Sequence, residues 1–306
     1  MILSICIPIY NTDIRPIATE LHRQLKEYSS EVELLFLDDA SDVFFKEINR
    51  SVGRYSDYQE LPENVGRSKI RNAFLPFVKG TFILFIDGDS EVISTDFIQQ
   101  YVNCLRIDEH DVLIGASIYS EQKPIRKQLL RWTYSRKRES KKLRDRLEYP
   151  EQGFTSNNFV IRKSLVEKYP FDETLTTYGH EDTLFGYNLS ASGVRFHHID
   201  NPVLNSNLDE NQEFLEKTKL ALQNLLSISF KLQDANFNQG QHLLSLALRI
   251  EKNVAFRFVI KILDPLCLSI ITKCLRKGYF TLWMFDFYRL AHLMNYLAQD
   301  RKNKAS

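Results

Sequence analysis

Short apolar runs that stop at carboxylates constrain this chain most. Residues 3–9 and 34–37 read as strands, and the residues between them put Ile17, Leu21 and Leu25 on one helical face. A strand, a helix and a second strand close as a parallel pair through a right-handed crossover, which brings both carboxyl ends to one sheet edge. The second run ends in Asp38-Asp39, and a third, residues 82–86, ends in Asp87-Gly88-Asp89. Neighbouring carboxylates repel one another, so strand ends that carry them face water, a divalent cation or a proton in transit. Ligands collect at such ends of open α/β sheets.

Further strands are expected over residues 56–61, 112–118, 154–161 and 194–199, and helices over 66–78, 97–105 and 181–191. This alternation predicts an α/β fold on a mostly parallel, layered sheet. Residues 211–300 are helix-rich by pattern, with Phe214, Leu215, Leu222, Leu225 and Leu226 forming one stripe. The expected organisation is an α/β domain over residues 1–210, followed by a helical C-terminal extension, residues 211–306, packed on it.

The net charge of +1 favours no class of partner for the molecule as a whole. The four cysteines, Cys6, Cys104, Cys267 and Cys274, lack paired CxxC spacing and read as reduced thiols of a cytosolic protein. The apolar start has no basic leader and no cleavage site, so it is expected to be the first strand of the mature protein. No window offers about 18 uninterrupted apolar residues, so a spanning helix is not expected.

Two acidic clusters carry chemistry. Carboxylates flanking a glycine, as in Asp87-Gly88-Asp89, suit a hard cation such as Mg²⁺ or Mn²⁺, and the bare glycine lets a sugar or ribose approach. Glu181-Asp182 opens a helix. It is either a general-base pair that activates a hydroxyl or a pair of first-turn acids opposing the helix dipole. Arg67 and Arg71, four apart, share a helical face and could meet phosphate or form ion pairs.

These elements occur in a fixed order: Ser4 to Asn11, Leu37-Asp38-Asp39-Ala40-Ser41, Asn64-Val65-Gly66 leading to Arg71-Asn72, Asp87-Gly88-Asp89, Asn157-Asn158-Phe159 and Gly179-His180-Glu181-Asp182. Together they resemble a family-two nucleotide-sugar glycosyltransferase with the GT-A fold, a Rossmann-like α/β/α arrangement, over roughly residues 2–220. The resemblance implies a nucleotide-sugar donor, UDP-linked, held by Pro8, Tyr10, Asn11, Asp39, Arg71, Asn72 and Asp87. Asp39 would contact the base, although a carboxylate there also suits a helix cap. Asp89 would bind the metal directly, with Asp87 reaching the ribose or the metal through water. Asp182 would be the general base, with Glu181 beside it. Relatives often carry a metal-binding histidine after the closing strand. This chain has Asn205, whose carbonyl oxygen is a weaker ligand, with His197 or His198 as substitutes.

The implied reaction is inverting transfer of a hexosyl or N-acetylhexosaminyl group to a hydroxyl of a glycan or lipid-linked saccharide, as in cell-surface polysaccharide synthesis. A nucleotidyltransferase is the rival enzyme, though residues 9–13 lack the glycine-rich loop it needs. A degenerate, non-catalytic sugar-nucleotide or glycan binder is the other alternative. Residues 123–146 hold eleven Lys or Arg against two acids, and residues 256–296 interleave aromatic and basic side chains. Both segments suit peripheral contact with an anionic membrane, giving an enzyme in the cytoplasm or on the inner membrane face. The bland alternatives are a solvated face and core packing. No nucleic-acid-binding motif accompanies the basic run.

Overall fold

The computed structural model describes residues 1–107, 110–150, 154–253 and 267–305. They form two compact units, one of residues 1–121, 138–176 and 181–207, the other of residues 122–137, 177–180 and 208–306.

In the first unit the strands are β1 (Leu3–Ile9), β2 (Val32–Asp38), β3 (Asp57–Glu60), β4 (Phe82–Ile86), β5 (Ser90–Val92), β6 (Val112–Ile114), β7 (Ser117–Tyr119), β8 (Asn158–Arg162), β9 (Phe196–His198) and β10 (Val203–Asn205). Its helices are α1 (Arg15–Leu25), α2 (Val43–Asn49), α3 (Gly66–Ala73), α4 (Phe97–Arg106), α6 (Leu143–Glu148), α7 (Lys163–Lys168) and α8 (Glu181–Ala191). The second unit contains α5 (Leu129–Tyr134), α9 (Asn211–Leu232), α10 (Ala235–Gly240), α11 (His242–Lys252), α12 (residues 267–277) and α13 (Leu282–Ala305).

Among the described residues the main sheet has seven strands in the order β3-β2-β1-β4-β8-β6-β9. The first four run parallel, β8 is antiparallel to both neighbours, and β9 is parallel to β6. Alternation along β1 sends Ile5 and Ile7 to the face covered by α1 and α4, and Cys6 to the face covered by α3, α7 and α8. The second face is aromatic: Phe171 stacks on Phe185 at 3.9 Å, and Phe85 lies 5.3 Å from Phe159. Each buried phenyl ring contributes about 1.5–3 kcal/mol.

One expected strand breaks in two. Residues 112–118 split into β6 and β7 because Ala116 takes a left-handed φ of 67°. Gly115 allows this, since a Cβ there would lie 2.1 Å from the Tyr101 hydroxyl. Asn158 clamps the break, accepting from Tyr101 at 2.7 Å and donating to the Ala116 and Asn201 carbonyls. Freed from the main sheet, β7 joins β10 and β5 in a second sheet, ordered β5-β10-β7. There Asn205 lies opposite Ser90, one residue from Asp89.

The basic run does not act as one element. Residues 122–137 group with the C-terminal helices and 138–146 with the sheet. Arg146 is buried and donates to the Ile114 and Ile199 carbonyls.

In the second unit Phe214 and Leu215 of α9 pack with Leu130, Leu275, Phe285 and Tyr288, so part of the aromatic tail is core. Residues 256–266 of that tail lie outside the described residues. Among the described residues no helix is long and apolar enough to cross a membrane.

Candidate active site

The parallel register aligns Ile9 with Asp38, so the loops after β1 and β2 emerge side by side. Asn11 and Ala40 sit at the same level, both left-handed, with φ of 48° and 55°. The loops are tied together: the Asn11 amide donates to Ser41 Oγ at 2.9 Å, and the Asp42 amide donates to Asn11 Oδ1 at 2.8 Å. Asn49 holds the same loop through the Ile14 amide and the Thr12 carbonyl. A cavity of about 330 Å³ opens beside it, lined by Asn11, Thr12, Asp13, Asp89, Ser206 and Asn207 among others. That volume lies in the range of small-molecule sites.

The two aspartates after β2 differ in task. Asp38 is buried and accepts from the Ser41 amide at 2.7 Å and the Tyr58 hydroxyl at 3.3 Å, which stiffens the loop. Asp39 accepts from the Val65 and Gly66 amides at 2.6 and 3.0 Å, and so caps α3, which is not the next helix in the chain. Burial pushes its carboxyl upward, against the pull of those two amides.

From α3 a line of alternating charges crosses the end of the sheet. Arg71, buried, donates from one nitrogen to Asp87 Oδ1 at 2.7 Å and from another to the Arg67 carbonyl, with its guanidinium 5.5 Å from the Phe171 ring. Arg67 lies 3.6 Å from Asp87 Oδ2 and 2.7 Å from Glu181 Oε1. Asp87-Gly88-Asp89 and the acidic pair are therefore joined through one arginine, Arg67, which takes the ion-pair alternative that the sequence left open beside phosphate.

Glu181 and Asp182 occupy the first turn of α8, whose sequence-expected bounds, 181–191, match the observed ones. Burial, and then the adjacent Glu181 charge, push the Asp182 carboxyl up to about 6, while Arg67 and Arg71 pull it down. A base poised near neutrality suits proton abstraction from a hydroxyl. Replacing Arg67 with Met is expected to move the Asp182 titration upward by roughly one pH unit, because an opposing charge is lost. Carboxyl-carbon NMR across pH 4 to 8 checks this, and an unmoved titration would show that Arg67 does not act on Asp182.

The other residues named from the sequence have contacts of their own. Asn72 bonds with its whole amide to the 171–173 segment: it accepts from the Phe171 amide and donates to the Phe171 carbonyl and Glu173. Tyr10 is exposed, and the Pro8 carbonyl faces Gly88. A Cβ at Gly88 would lie 3.0 Å from that carbonyl, so this glycine admits β1, a requirement separate from sugar access. His198 contacts Arg146 through Nδ1 and donates from Nε2 to the Pro150 carbonyl, and His197 packs against His110. The residues missed, Thr12, Asp13, Ser206 and Asn207, are ordinary loop residues in sequence and gave no signal.

Among the described residues no three His, Cys, Asp or Glu side chains gather as a metal cluster. A mixed oxygen set fits better. Asn205 Oδ1 and Ser90 Oγ are buried without partners and sit opposite each other beside Asp89. Asp87, by contrast, already has both oxygens facing arginines. Hard oxygen donors of this kind suit Mg²⁺ or Mn²⁺.

The model of Glycosyl transferase family 2 matches residues 4–170, more than half of the chain. The chain belongs to this family. It is a glycosyltransferase with the GT-A fold. The first 349 residues of TarS from S. aureus align with a TM-score of 0.53 at 18% identity, covering 97% of this chain and 92% of that one. The mannosyltransferase PcManGT from Pyrobaculum calidifontis, solved with GDP-Man and Mn²⁺, gives 0.58 at 14% identity, with 96% and 86% covered. Glucosyl-3-phosphoglycerate synthase from Mycobacterium tuberculosis, solved with Mg²⁺ and UDP, gives 0.51 at 16%, with 73% and 78% covered. These likenesses are of fold. No curated protein matches the sequence significantly.

Proposed function

We propose that this family member moves a hexosyl or N-acetylhexosaminyl group from a UDP-linked donor to a hydroxyl of a glycan or lipid-linked saccharide, with inversion, on the cytoplasmic side of a membrane. Cell-surface polysaccharide synthesis is the role that fits such an acceptor. The observation that carries the reading is the charge line Arg71–Asp87–Arg67–Glu181, which runs from the DxD segment to a carboxylate pair containing a base raised to about 6.

In this reading Asp182 accepts the acceptor hydroxyl proton as the hydroxyl oxygen attacks the anomeric carbon. The bond from that carbon to the diphosphate oxygen breaks with its electron pair going to the diphosphate, and configuration inverts because attack is from the opposite face. Glu181 pairs with Arg67 at 2.7 Å, and its charge beside Asp182 helps raise that carboxyl. Asp39 holds the start of α3 and, with Asn11 and Tyr10, frames the nucleotide. Asp87 is held by its two arginines to meet the ribose. Asp89, with Asn205 and Ser90, would hold Mn²⁺ or Mg²⁺, which when bound supplies positive charge to the departing diphosphate.

A panel of nucleotide sugars with each metal, read by UDP release and by NMR of the product anomer, tests the function. Failure to turn over any UDP-sugar, with UDP still bound, would leave the non-catalytic binder as the correct reading. Asn205→His is expected to tighten Mn²⁺ binding more than Mg²⁺ binding in calorimetry with UDP present, since imidazole is the softer donor. Equal changes for both ions would remove Asn205 from the metal shell.

A further inference from the structure

Residues 126 and 278–279, about 150 positions apart in sequence, meet in the second unit, and the segments 123–127 and 277–283 around them carry mostly exposed side chains. Gly278, at a φ of 74°, lies so close to residue 126 that a Cβ there would sit 2.5 Å from the Arg126 carbonyl oxygen. The Arg126 guanidinium lies 4.6 Å from the Tyr279 ring centroid and donates to the Tyr279 hydroxyl. Beneath them the buried Asn211 amide donates to both the Arg126 and the Arg276 carbonyls, at 3.0 and 3.3 Å. The surface is therefore built, and its shape does not depend on one flexible loop.

Its composition is unusual for a face meeting water. Ile125 is 64% exposed, Tyr279 59% and Trp283 66%, the last being the most exposed large aromatic side chain described. Lys123, Arg126, Lys127 and Lys277 are exposed on the same two segments, against which stands Glu210, 3.8 Å from Lys127. Tryptophan and tyrosine partition to the headgroup level of a bilayer, where their rings are apolar and their polar tips stay wet. Lysine beside them gains from anionic headgroups while its stem lies along the apolar boundary. A protein partner selects differently, since lysine is depleted in the core of protein interfaces.

We propose that this face of the helical unit, formed by Ile125, Tyr279 and Trp283 with Lys123, Arg126, Lys127 and Lys277, seats in the interfacial region of an anionic membrane. The proposal rests on the reading of the enzyme as acting beside a membrane, and it narrows the two sequence segments to one surface. Arg146, at the end of the basic run, is buried and takes no part.

The test uses the full chain and vesicles of phosphatidylglycerol with phosphatidylcholine, or of phosphatidylcholine alone. Trp132→Phe leaves Trp283 as the single tryptophan, since the chain has two. Binding to the anionic vesicles at low salt with a blue shift of Trp283 emission is expected. Weakening at 1 M salt should follow, where the screening length falls to about 3 Å. Lys123, Lys127 and Lys277 changed together to Glu are expected to weaken binding by roughly 100-fold or more, each cation near an anionic leaflet counting for about a fivefold factor. All three positions are exposed, and unchanged circular dichroism and melting check that the triple variant is folded. Absence of anionic-vesicle binding, equal binding to neutral vesicles, or a dimer lost in Trp283→Ala without vesicle binding would overturn the proposal. UDP-sugar turnover, measured without vesicles, reports on the catalytic reading separately.

Discussion

Asp182→Asn is expected to lower turnover by roughly 100-fold or more, the range for loss of a general base, while donor affinity barely moves. The amide keeps the shape of the side chain but accepts no proton. The same substitution is expected to raise thermal stability at pH 8 and leave it unchanged at pH 3. In the folded protein Asp182 titrates near 6, chiefly because it is removed from water, and in the unfolded chain near the ordinary value of about 3.9. The folded state thus holds the proton more tightly. The stability that Asp182 contributes is full below about pH 4, declines as pH rises from about 4 to 6, and is lost once both states are ionised. Removing the charge removes that decline. In the wild type kcat/KM should rise with pH and level off above about 6, whereas the residual activity of Asp182→Asn should lack this limb. Wild-type turnover in the variant would rule out Asp182 as the base. Lost turnover with an unaltered stability profile would leave the catalytic role but contradict the raised carboxyl.

Asp89→Ala is expected to abolish transfer and metal-dependent UDP binding while the fold persists. Asp89 stands between β4 and β5 and lines the cavity, and residue 90 is the one paired with Asn205. Alanine removes the anionic ligand and leaves only neutral oxygens, too weak for a dication that must give up water to bind. UDP binding without metal should survive, since Asn11 and Asp39 stay in place. Calorimetry with and without Mn²⁺, beside a melting curve, separates these effects. Unchanged metal-dependent affinity in a folded variant would exclude Asp89 from the metal site. Asp87→Ala should behave differently. It strands Arg71, which is buried and bonded to it at 2.7 Å, and an unpaired buried charge destabilises the fold itself.

Much of the fold was legible because it follows from local periodicity. An apolar run that ends abruptly is a strand wherever it packs, and β1, β2 and β4 lie where the residues at 3–9, 34–37 and 82–86 predict. Helix α8 begins at its acidic pair because first-turn carboxylates oppose the helix dipole, a rule that needs no distant partner. The crossover rule then carried Asn11, Asp39 and Asp87 to one sheet edge. Local pattern misjudged residues 112–118, where Gly115 and Ala116 turn the chain out of the sheet under the constraint of Tyr101 and Asn158, side chains remote in sequence.

The sequence by itself determined the alternating strands and helices, the order of the motifs and the identity of the carboxylates, because side-chain periodicity and charge are properties of neighbours along the chain. Tertiary structure alone decided which of those groups meet. It paired Asn205 with Ser90 beside Asp89, set Arg67 between Asp87 and Glu181, turned Arg146 inward and bound Asn72 to the 171–173 segment. Each of these depends on closing a long loop and on how burial shifts the balance between ion pairs and water, and neither quantity is local to the residues involved.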